Sequence, residues 1–280
     1  MLVIVLGASG FIGGHLFSEL QQRGYNLIGT QHSGDDHRFV SFDLLQDGVD
    51  QLEVEISEQT VLIVASSITD TAFCQNHPEE SWALNVIHTL RLIEAVAQRE
   101  GRILFLSSDY AVEDDRQQRP LLNYGKQKRA VEAGIEECCA SYAIVRPGKV
   151  YSLDPSEGSF LTEMCRKIQC DEPQKVLVDQ LFSPIFIDDL VGALIQIATD
   201  DKSGVFNLPG KALVSRAELA LLACKRLGKG RESLQMVLRS EIGLECYPRY
   251  IPLGSDWEWQ KMSLFDALAI ACERVEAECS

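Results

Sequence analysis

Short, mainly apolar runs recur along the first half of the chain and alternate with segments of helical periodicity. Runs of five or six residues with little polar alternation are typical of parallel strands that are covered on both faces. They lie at residues 2–6, 25–30, 39–44, 60–65, 102–106 and 142–146. The order strand, helix, strand, helix through about residue 150 predicts an α/β fold built on a Rossmann-type, doubly wound parallel sheet.

The segment after His77-Pro78 shows the helical periodicity most clearly. Its apolar residues recur every three or four positions, as on the buried face of an amphipathic helix. We therefore expect a core face that consists of Trp82, Val86, Leu90, Ile93 and either Val96 or Ala97. A helix near residues 47–55 and another opened by Pro120 and Leu121 complete the alternation.

Beyond Pro147 the pattern loosens. Helices are predicted at residues 159–169, 188–199, 219–227 and 263–276, strands at 175–179 and 204–208, and a loop-rich stretch at 241–256. Ser215 and Glu218 have the spacing of a capping box, which marks the start of a helix. We expect residues 1–150 to form a dinucleotide-binding domain with residues 184–208 packed back on it, and residues 151–280 to form mainly a smaller C-terminal substrate-binding region.

A glycine turn follows the first apolar run and leads directly into a helix. Glycines let such a turn tighten and let the backbone approach a ligand, and the N–H groups that open the helix favour an anion. We predict that this turn binds the pyrophosphate of a dinucleotide. The alternative is a glycine-rich connection without a ligand. The candidate contacts are Gly7, Ser9, Gly10, Phe11, Ile12 and Gly13.

The ends of the next strands supply further candidate cofactor contacts, because the carboxyl ends of parallel strands meet at one edge of the sheet. These contacts are His32, Ser33, Asp43, Leu44, Ala65, Ser66, Ser67 and, in the following helix, Asn85. No acidic residue directly follows Thr30, and Arg38 lies a little further on. NADP(H) is therefore favoured, while NAD(H) stays allowed. The alternative is that residues 31–38 form a solvated loop that does not affect the choice.

Composition excludes some classes of partner. The chain has 280 residues, with 26 Lys and Arg against 41 Asp and Glu, and its net charge of −15 repels nucleic acids and anionic membranes. A small anionic cofactor is still allowed through local donors such as Lys128, Arg146 and Arg249. No apolar run approaches the length of a membrane span, and no basic leader precedes the first run. We expect a cytoplasmic protein.

Nine cysteines occur without a Cys-x-x-Cys pair or a histidine at ligand spacing. Such residues in a protein without a secretory signal are expected to be reduced thiols. We therefore assign neither a metal site nor a disulfide.

Tyr124 and Lys128 stand four residues apart in a predicted helix and thus share one face. An ammonium one helical turn away favours the phenolate and is expected to lower the pKa of the tyrosine from its usual value near 10. With Ser108 at the end of the fifth strand, they resemble the catalytic set of the short-chain dehydrogenase/reductase family. The ordered matches are Gly7/Gly10/Gly13, Ala65-Ser66-Ser67, Asn85, Tyr124/Lys128 and Arg146-Pro147.

This resemblance implies a role for each residue of the set. It gives Tyr124 as the proton donor to a substrate carbonyl and Ser108 as the hydrogen bond that orients that carbonyl. Lys128 lowers the pKa of the tyrosine and holds the nicotinamide ribose, so Tyr124 and Lys128 also count as cofactor-binding residues. The bound cofactor carries the hydride.

Within that family the chain resembles the extended branch, and specifically its dTDP-4-dehydrorhamnose reductase group. Residues 107–112 and 178–190 carry this likeness, which covers most of residues 1–200. The chain departs from the group at Lys149, where an aromatic residue is expected, and at residues 156–159. The resemblance implies an NAD(P)H-dependent reductase of a carbonyl on a nucleotide-linked sugar or a similar small molecule, acting alone or as a homodimer.

Two alternatives stay open. One is an NAD(P)-dependent sugar-nucleotide epimerase of the same branch. Dehydration is disfavoured because Tyr110, rather than a glutamate, follows Asp109. The other alternative is a non-catalytic regulatory subunit that binds the cofactor.

Overall fold

The computed structural model describes residues 1–112, 122–244, 246–251, 253–255 and 259–278. The chain divides into two compact units. Unit 1 consists of Met1–Arg146 and Val191–Asn207, and unit 2 consists of Pro147–Leu190 and Leu208–Ser280. Pro120 and Leu121, which are predicted to open a helix, lie outside the described residues, as do Pro252 and Asp256 of the loop-rich stretch.

The strands and helices of the described residues are numbered along the chain. The strands are β1 (Leu2–Leu6), β2 (Asn26–Gln31), β3 (Phe39–Ser41), β4 (Thr60–Val64), β5 (Arg102–Leu106), β6 (Tyr142–Pro147), β7 (Val150–Tyr151), β8 (Gln174–Leu177), β9 (Leu181–Phe182), β10 (Ile185–Phe186), β11 (Gly204–Leu208), β12 (Val214–Ser215) and β13 (Leu234–Val237). The α-helices are α1 (Phe11–Gln22), α2 (Thr71–Asn76), α3 (Pro78–Trp82), α4 (Thr89–Ala97), α5 (Asn123–Cys138), α6 (Phe160–Gln169), α7 (Ile187–Thr199), α8 (Arg216–Arg226) and α9 (Leu264–Glu278).

Unit 1 is built on a seven-stranded sheet in the order β11-β6-β5-β4-β1-β2-β3. The pairs from β6 to β3 are all parallel, so their carboxyl ends lie at one edge. The central strands β4 and β5 are buried along their whole length, as their apolar sequences predict. The predicted α/β class with a Rossmann-type parallel sheet is confirmed.

The helix predicted after His77 is interrupted. α3 and α4 are joined by a π-helical segment, Ala83–His88, which widens one turn and shifts the phase of the side chains. Val86, Ile93 and Val96 are buried as expected, but Trp82 is 40% exposed. The prediction that Trp82 lies in the core is therefore wrong, because a regular period of 3.6 residues does not pass through the wider turn.

Two other predictions for unit 1 differ from the structure. β3 ends at Ser41, because residues 43–47 form a turn in which Asp47 Oδ2 accepts a hydrogen bond from the N–H of Asp43 at 2.6 Å. The helix expected near residues 47–55 is only a short 3₁₀ turn, Val49–Leu52.

Unit 2 has a helical core formed by α6, α8 and α9. Small residues and cysteines line it, including Cys165, Ala220 and Cys272. Ser215 and Glu218 make the predicted capping box at the start of α8. Around this core lie three two-stranded sheets, β10-β7, β12-β9 and β13-β8. Most of these strands have only two residues, which is too short for a sequence pattern to reveal.

No helix within the described residues is long and apolar enough to cross a membrane. The eight cysteines in the described part of the chain are free thiols.

Candidate active site

The glycine turn joins β1 to α1 in unit 1. Gly7 has a φ of 86°, which residues with a Cβ rarely adopt, and an added Cβ would lie 2.9 Å from the backbone of Ser66. A Cβ on Gly13 would overlap the carbonyl oxygen of Gly7. Gly10 differs, because its φ of −83° is ordinary and its added Cβ would meet only the oxygen of Gly7, at 3.3 Å. The packing of the protein itself therefore does not require a glycine at position 10. A glycine there is consistent with space being needed for a ligand.

No side chain caps the N-terminus of α1. The first intrahelical bond runs from the N–H of Gly14 to the carbonyl of Gly10. The preceding N–H groups lack partners within the helix and carry its positive dipole end. They belong to Phe11, Ile12 and Gly13. With Ser9 and Phe11 exposed beside them, the turn fits the pyrophosphate of a dinucleotide.

The end of β2 fixes this turn. The hydroxyl oxygen of Thr30 accepts a hydrogen bond from the N–H of Gly7 at 3.0 Å. Beyond the strand, His32 and Ser33 are exposed. Arg38 is paired with Asp36, with 2.6 Å between Nη2 and Oδ2. The arginine expected to favour a 2′-phosphate therefore already has a carboxylate partner.

Asp43 and Leu44 follow β3 and have different surroundings. Asp43 Oδ1 lies 3.8 Å from Nδ1 of His32 and accepts a hydrogen bond from the N–H of Leu45. The side chain of Leu44 is buried in the apolar core of unit 1.

Asn85 connects the end of β4 to α5. Its Oδ1 accepts hydrogen bonds from the Ser67 hydroxyl at 3.0 Å and from the N–H of Ile68 at 2.8 Å. Its Nδ2 donates to the carbonyl of Ile68 and to Oε1 of Gln127 at 2.8 Å. These bonds use the full capacity of the amide. Asn85 therefore holds the Ala65-Ser66-Ser67 segment in place, and its amide is engaged within the protein.

Ser108 and Tyr124 come together as predicted. Ser108 directly follows β5, and Tyr124 lies in the first turn of α5, close enough to Ser108 for that hydroxyl to lower the pKa of the phenol. Ser108 Oγ also donates to Oδ1 of Asp109 at 2.9 Å and accepts from the N–H of Tyr110 at 3.2 Å. Both Ser108 and Tyr124 are buried.

Lys128 lies one turn after Tyr124 and is also buried. Its Nζ donates to the carbonyl of Leu106 at 2.9 Å and lies 4.7 Å from the ring centre of Phe105 and 5.7 Å from that of Tyr124. Burial lowers the pKa of Lys128 from 10.5 to about 8, although the negative charge of Glu132 opposes this change. The ammonium is held beside the tyrosine at a site that disfavours its charge.

The expectation that Lys128 lowers the pKa of Tyr124 is not met. Burial raises the pKa of Tyr124, and the negative charge of Asp109 raises it further, whereas the hydrogen bond with Ser108 lowers it. The reason is that loss of water around the phenol penalises the phenolate. In this arrangement Tyr124 keeps its proton at neutral pH.

Sequence reasoning missed Glu132, which lies one turn after Lys128. Its side chain is fully buried and accepts hydrogen bonds from Ser107 Oγ at 2.6 Å and from Arg146 at 2.8 and 2.5 Å. Arg146, considered above as a local donor for the cofactor, is thus paired inside the protein. The sequence did contain a signal for it, because Glu132 follows Lys128 by the same four residues that separate Lys128 from Tyr124.

No cluster of three or more His, Cys, Asp or Glu side chains that could hold a metal ion occurs in the described part of the chain. The chemistry that the site offers is proton transfer through a buried hydroxyl, in the same unit as a glycine turn whose free N–H groups suit an anion.

Comparisons with known proteins agree with this arrangement. The sequence model of the NAD dependent epimerase/dehydratase family matches residues 3–208. The dTDP-4-dehydrorhamnose reductase of Mycolicibacterium smegmatis is 24% identical over 264 residues, which cover 90% of this chain and 76% of that protein. The methionine adenosyltransferase 2 subunit beta of Bos taurus is 23% identical over 232 residues, covering 78% of this chain and 70% of that protein.

A solved structure resembles the whole fold. The dTDP-4-dehydrorhamnose reductase of Bacillus anthracis, in complex with NADP, has a TM-score of 0.76 and 20% sequence identity, and the match covers 99% of each chain. At this identity the likeness establishes the fold.

Proposed function

The chain belongs to the NAD dependent epimerase/dehydratase family, and from that premise we propose that it is a reductase of a carbonyl on a nucleotide-linked sugar, with Tyr124 as the proton donor. The predicted resemblance to the extended short-chain dehydrogenase/reductase family and the class of NAD(P)-dependent oxidoreductase are both confirmed. The observation that carries the finer proposal is the burial of Tyr124 beside Ser108, with the Lys128 ammonium 5.7 Å from the centre of the tyrosine ring.

Each residue of the set has a task in this proposal. Tyr124 donates its proton to the carbonyl oxygen of the substrate; burial keeps the phenol protonated at neutral pH but makes it a weaker acid. Ser108 orients the carbonyl. Lys128 presents a positive charge that stabilises the phenolate left after the transfer. The nicotinamide cofactor, when bound, supplies the hydride.

NADP(H) is the cofactor that we propose the protein prefers. Its 2′-phosphate would reach the exposed His32 and Ser33 beyond β2, where no carboxylate directly follows the strand. Because Arg38 is already paired with Asp36, the expected margin over NAD(H) is modest. Equal affinities of the two cofactors in calorimetry would remove this part of the proposal.

The proposed site for the substrate is unit 2. A cavity of about 420 Å³ within it is lined by Lys211, Tyr250, Trp259 and Gln260, among others. An ammonium beside aromatic rings suits a nucleotide, because the base stacks on a ring and the phosphate attracts the cation. A homodimeric assembly and a cytoplasmic location stay predictions.

Turnover tests the proposed role of the tyrosine. Wild-type protein should oxidise NADPH in the presence of a keto sugar linked to dTDP or UDP. Tyr124→Phe keeps the ring but removes the transferable proton, so turnover should fall by about 10²–10⁴ while NADPH binding survives. A Tyr124→Phe protein that works at the wild-type rate would exclude the tyrosine from the mechanism.

Calorimetry tests the cofactor turn separately. Gly10→Val should weaken NADPH binding strongly, because the branched side chain takes the space where the phosphates approach. Gly14→Ala is the control on the same helix, since an added Cβ there makes only an ordinary contact of 3.5 Å. Unchanged NADPH affinity in a folded Gly10→Val protein would contradict the assignment of this turn.

A regulatory subunit is the second candidate function. It is favoured by the likeness to the bovine protein, which is named as a subunit of a methionine adenosyltransferase. A wild-type protein that binds NADPH but oxidises it with no carbonyl compound would favour this alternative over the reductase.

A further inference from the structure

Glu132 stands where three elements of unit 1 meet. From the middle of α5, its carboxylate receives the Ser107 hydroxyl, which follows β5, and the guanidinium of Arg146, in β6. Arg129 of the same helix donates a further bond at 2.9 Å. Four hydrogen bonds thus satisfy both oxygens of a side chain with no exposed surface. Burial alone would raise the pKa of Glu132, but the bonds from Arg146 and Ser107 outweigh it and hold this pKa below its usual value.

The same elements carry the candidate catalytic groups. Tyr124, Lys128 and Glu132 follow one another at four-residue intervals and therefore lie along one face of α5. At the end of β5, Ser107, which donates to Glu132, directly precedes Ser108. The carbonyl of Leu106, one residue earlier, holds the ammonium of Lys128. Any shift of α5 along β5 would therefore change the Ser108–Tyr124 contact and the Glu132–Ser107 contact together.

We propose that Glu132 is a positioning residue for the reaction proposed above: its carboxylate fixes α5 against the ends of β5 and β6 and places a negative charge one helical turn from Lys128. The inference rests on that proposed function. Glu132 acts through Tyr124 and Lys128, and it is assigned no contact with substrate or cofactor.

The charges around Lys128 are few. On its own helix it faces Glu132 and Tyr124, from α2 it faces the buried thiol of Cys74, and from β5 it meets the ring of Phe105. Asp109 acts on Tyr124. Glu132 is thus the carboxylate that favours the ammonium of Lys128. Without it, burial would outweigh the smaller effect of Cys74, and the guanidinium groups of Arg129 and Arg146 would lose the carboxylate that they pair with. The proton of Lys128 would then be lost at lower pH.

The test measures the titration of Lys128 directly. In protein with ¹³Cε-labelled lysine, the Lys128 signal is assigned by its absence in Lys128→Met, and its midpoint is followed by NMR. Glu132→Gln should lower this midpoint by about one pH unit or more. Glu136→Gln, one turn later and exposed, should leave it unchanged. Glu132→Asp, which retains the charge, should move the midpoint back toward the wild-type value.

Turnover provides the second readout. In Glu132→Gln the limb of the pH profile that belongs to Lys128 should shift to lower pH together with the NMR midpoint, and kcat should fall by about 10–10². A folded Glu132→Gln protein with the wild-type midpoint, or with the wild-type kcat, would overturn the proposal. If Glu132→Gln does not fold, the double variant Glu132→Gln/Arg146→Met removes the carboxylate together with its guanidinium partner, and a wild-type kcat in that variant would overturn the proposal.

The two proposals fail in distinguishable ways. A wild-type protein that reduces no carbonyl compound removes the proposed function. The Lys128 midpoint requires no substrate, so it still decides whether Glu132 sets the charge of its neighbour.

Discussion

Glu132 and Lys128 lie one turn apart on the same helix, and both are buried. The surroundings of Glu132 nevertheless favour its charged form, whereas those of Lys128 disfavour it. Glu132 has four hydrogen bonds and a guanidinium partner, and its pKa is lowered despite burial. Lys128 donates a hydrogen bond to the carbonyl of Leu106, and burial lowers its pKa to about 8. The fold stabilises the ionised carboxylate and destabilises the ionised amine.

In the proposed reaction, this difference separates groups that hold the site from groups that react in it. A fully satisfied ion pair fixes neighbouring elements but has no reason to change its protonation state. A buried lysine whose pKa is lowered toward neutrality is suited to change its protonation state, and its buried charge reduces stability in exchange. We therefore expect substitutions at the two positions to change the free energy of unfolding in opposite directions.

The largest expected effect is at the carboxylate. Glu132→Leu leaves the guanidinium of Arg146 buried without its partner, and it should lower the free energy of unfolding by about 3–5 kcal/mol. Urea denaturation followed by circular dichroism measures this change. Glu136→Leu, on the exposed side of α5, serves as the control and should leave stability nearly unchanged. A stable Glu132→Leu protein would show that the cluster does not hold the sheet and helix together.

Lys128→Met should instead stabilise the protein. A shift from 10.5 to about 8 corresponds to 2.5 units, or about 3 kcal/mol of destabilisation at pH 7. The unpaired carbonyl of Leu106 offsets about 1 kcal/mol of the gain, so a net increase of about 2 kcal/mol is expected. NADPH affinity and turnover should fall together in the same variant. A Lys128→Met protein that is less stable than wild type at pH 7 would contradict the comparison.

The advantage of Lys128→Met should depend on pH. Between pH 8 and 10.5 the unfolded wild-type chain still binds a proton at this lysine, whereas the folded protein has lost it. Wild-type stability relative to the variant should therefore rise with pH in this window, by up to about 1.4 kcal/mol per unit. Paired urea titrations at pH 7, 8, 9 and 10 measure this slope. A difference that is constant with pH would mean that Lys128 titrates normally.

The smallest expected effect comes from two adjacent serines. Ser107→Ala removes one bond to the buried carboxylate of Glu132 and should cost about 1.5 kcal/mol. Ser108→Ala should cost less, because its acceptor Asp109 is half-exposed and water can take the place of the hydroxyl. Thermal unfolding of the two variants in parallel gives this comparison. Equal losses would show that burial of the acceptor does not distinguish them.

Much of unit 1 could be predicted from local pattern. The runs that became β1, β4 and β5 are short and apolar because both faces of these strands are covered, and the glycine turn follows β1 directly. Tyr124 and Lys128 were found because a helix places residues four apart on one face. Ser108 was placed near them by the rule that parallel strands end at one edge of the sheet.

The predictions that failed depended on contacts between elements distant in sequence. Trp82 is exposed because a π-helical turn shifts the phase of its helix, and that turn places Asn85 against Ser67 and Gln127. The short strands of unit 2 were missed because two residues carry no readable alternation. The raised pKa of Tyr124 could not be foreseen either, because a spacing does not report how much water surrounds a side chain.

The sequence by itself determined the α/β class and the position of the glycine turn, because each follows from periodicity or from a fixed local spacing. The tyrosine, lysine and serine set was proposed from the family resemblance and stays a prediction. Only the tertiary structure decided which buried charges are stabilised by hydrogen bonds and which are destabilised by the loss of water. That outcome depends on burial and on partners such as Ser107 and Arg146, which lie 25 and 14 residues away from Glu132. Hydration and long-range hydrogen bonding are properties of the packed chain, and they set the protonation of its buried groups.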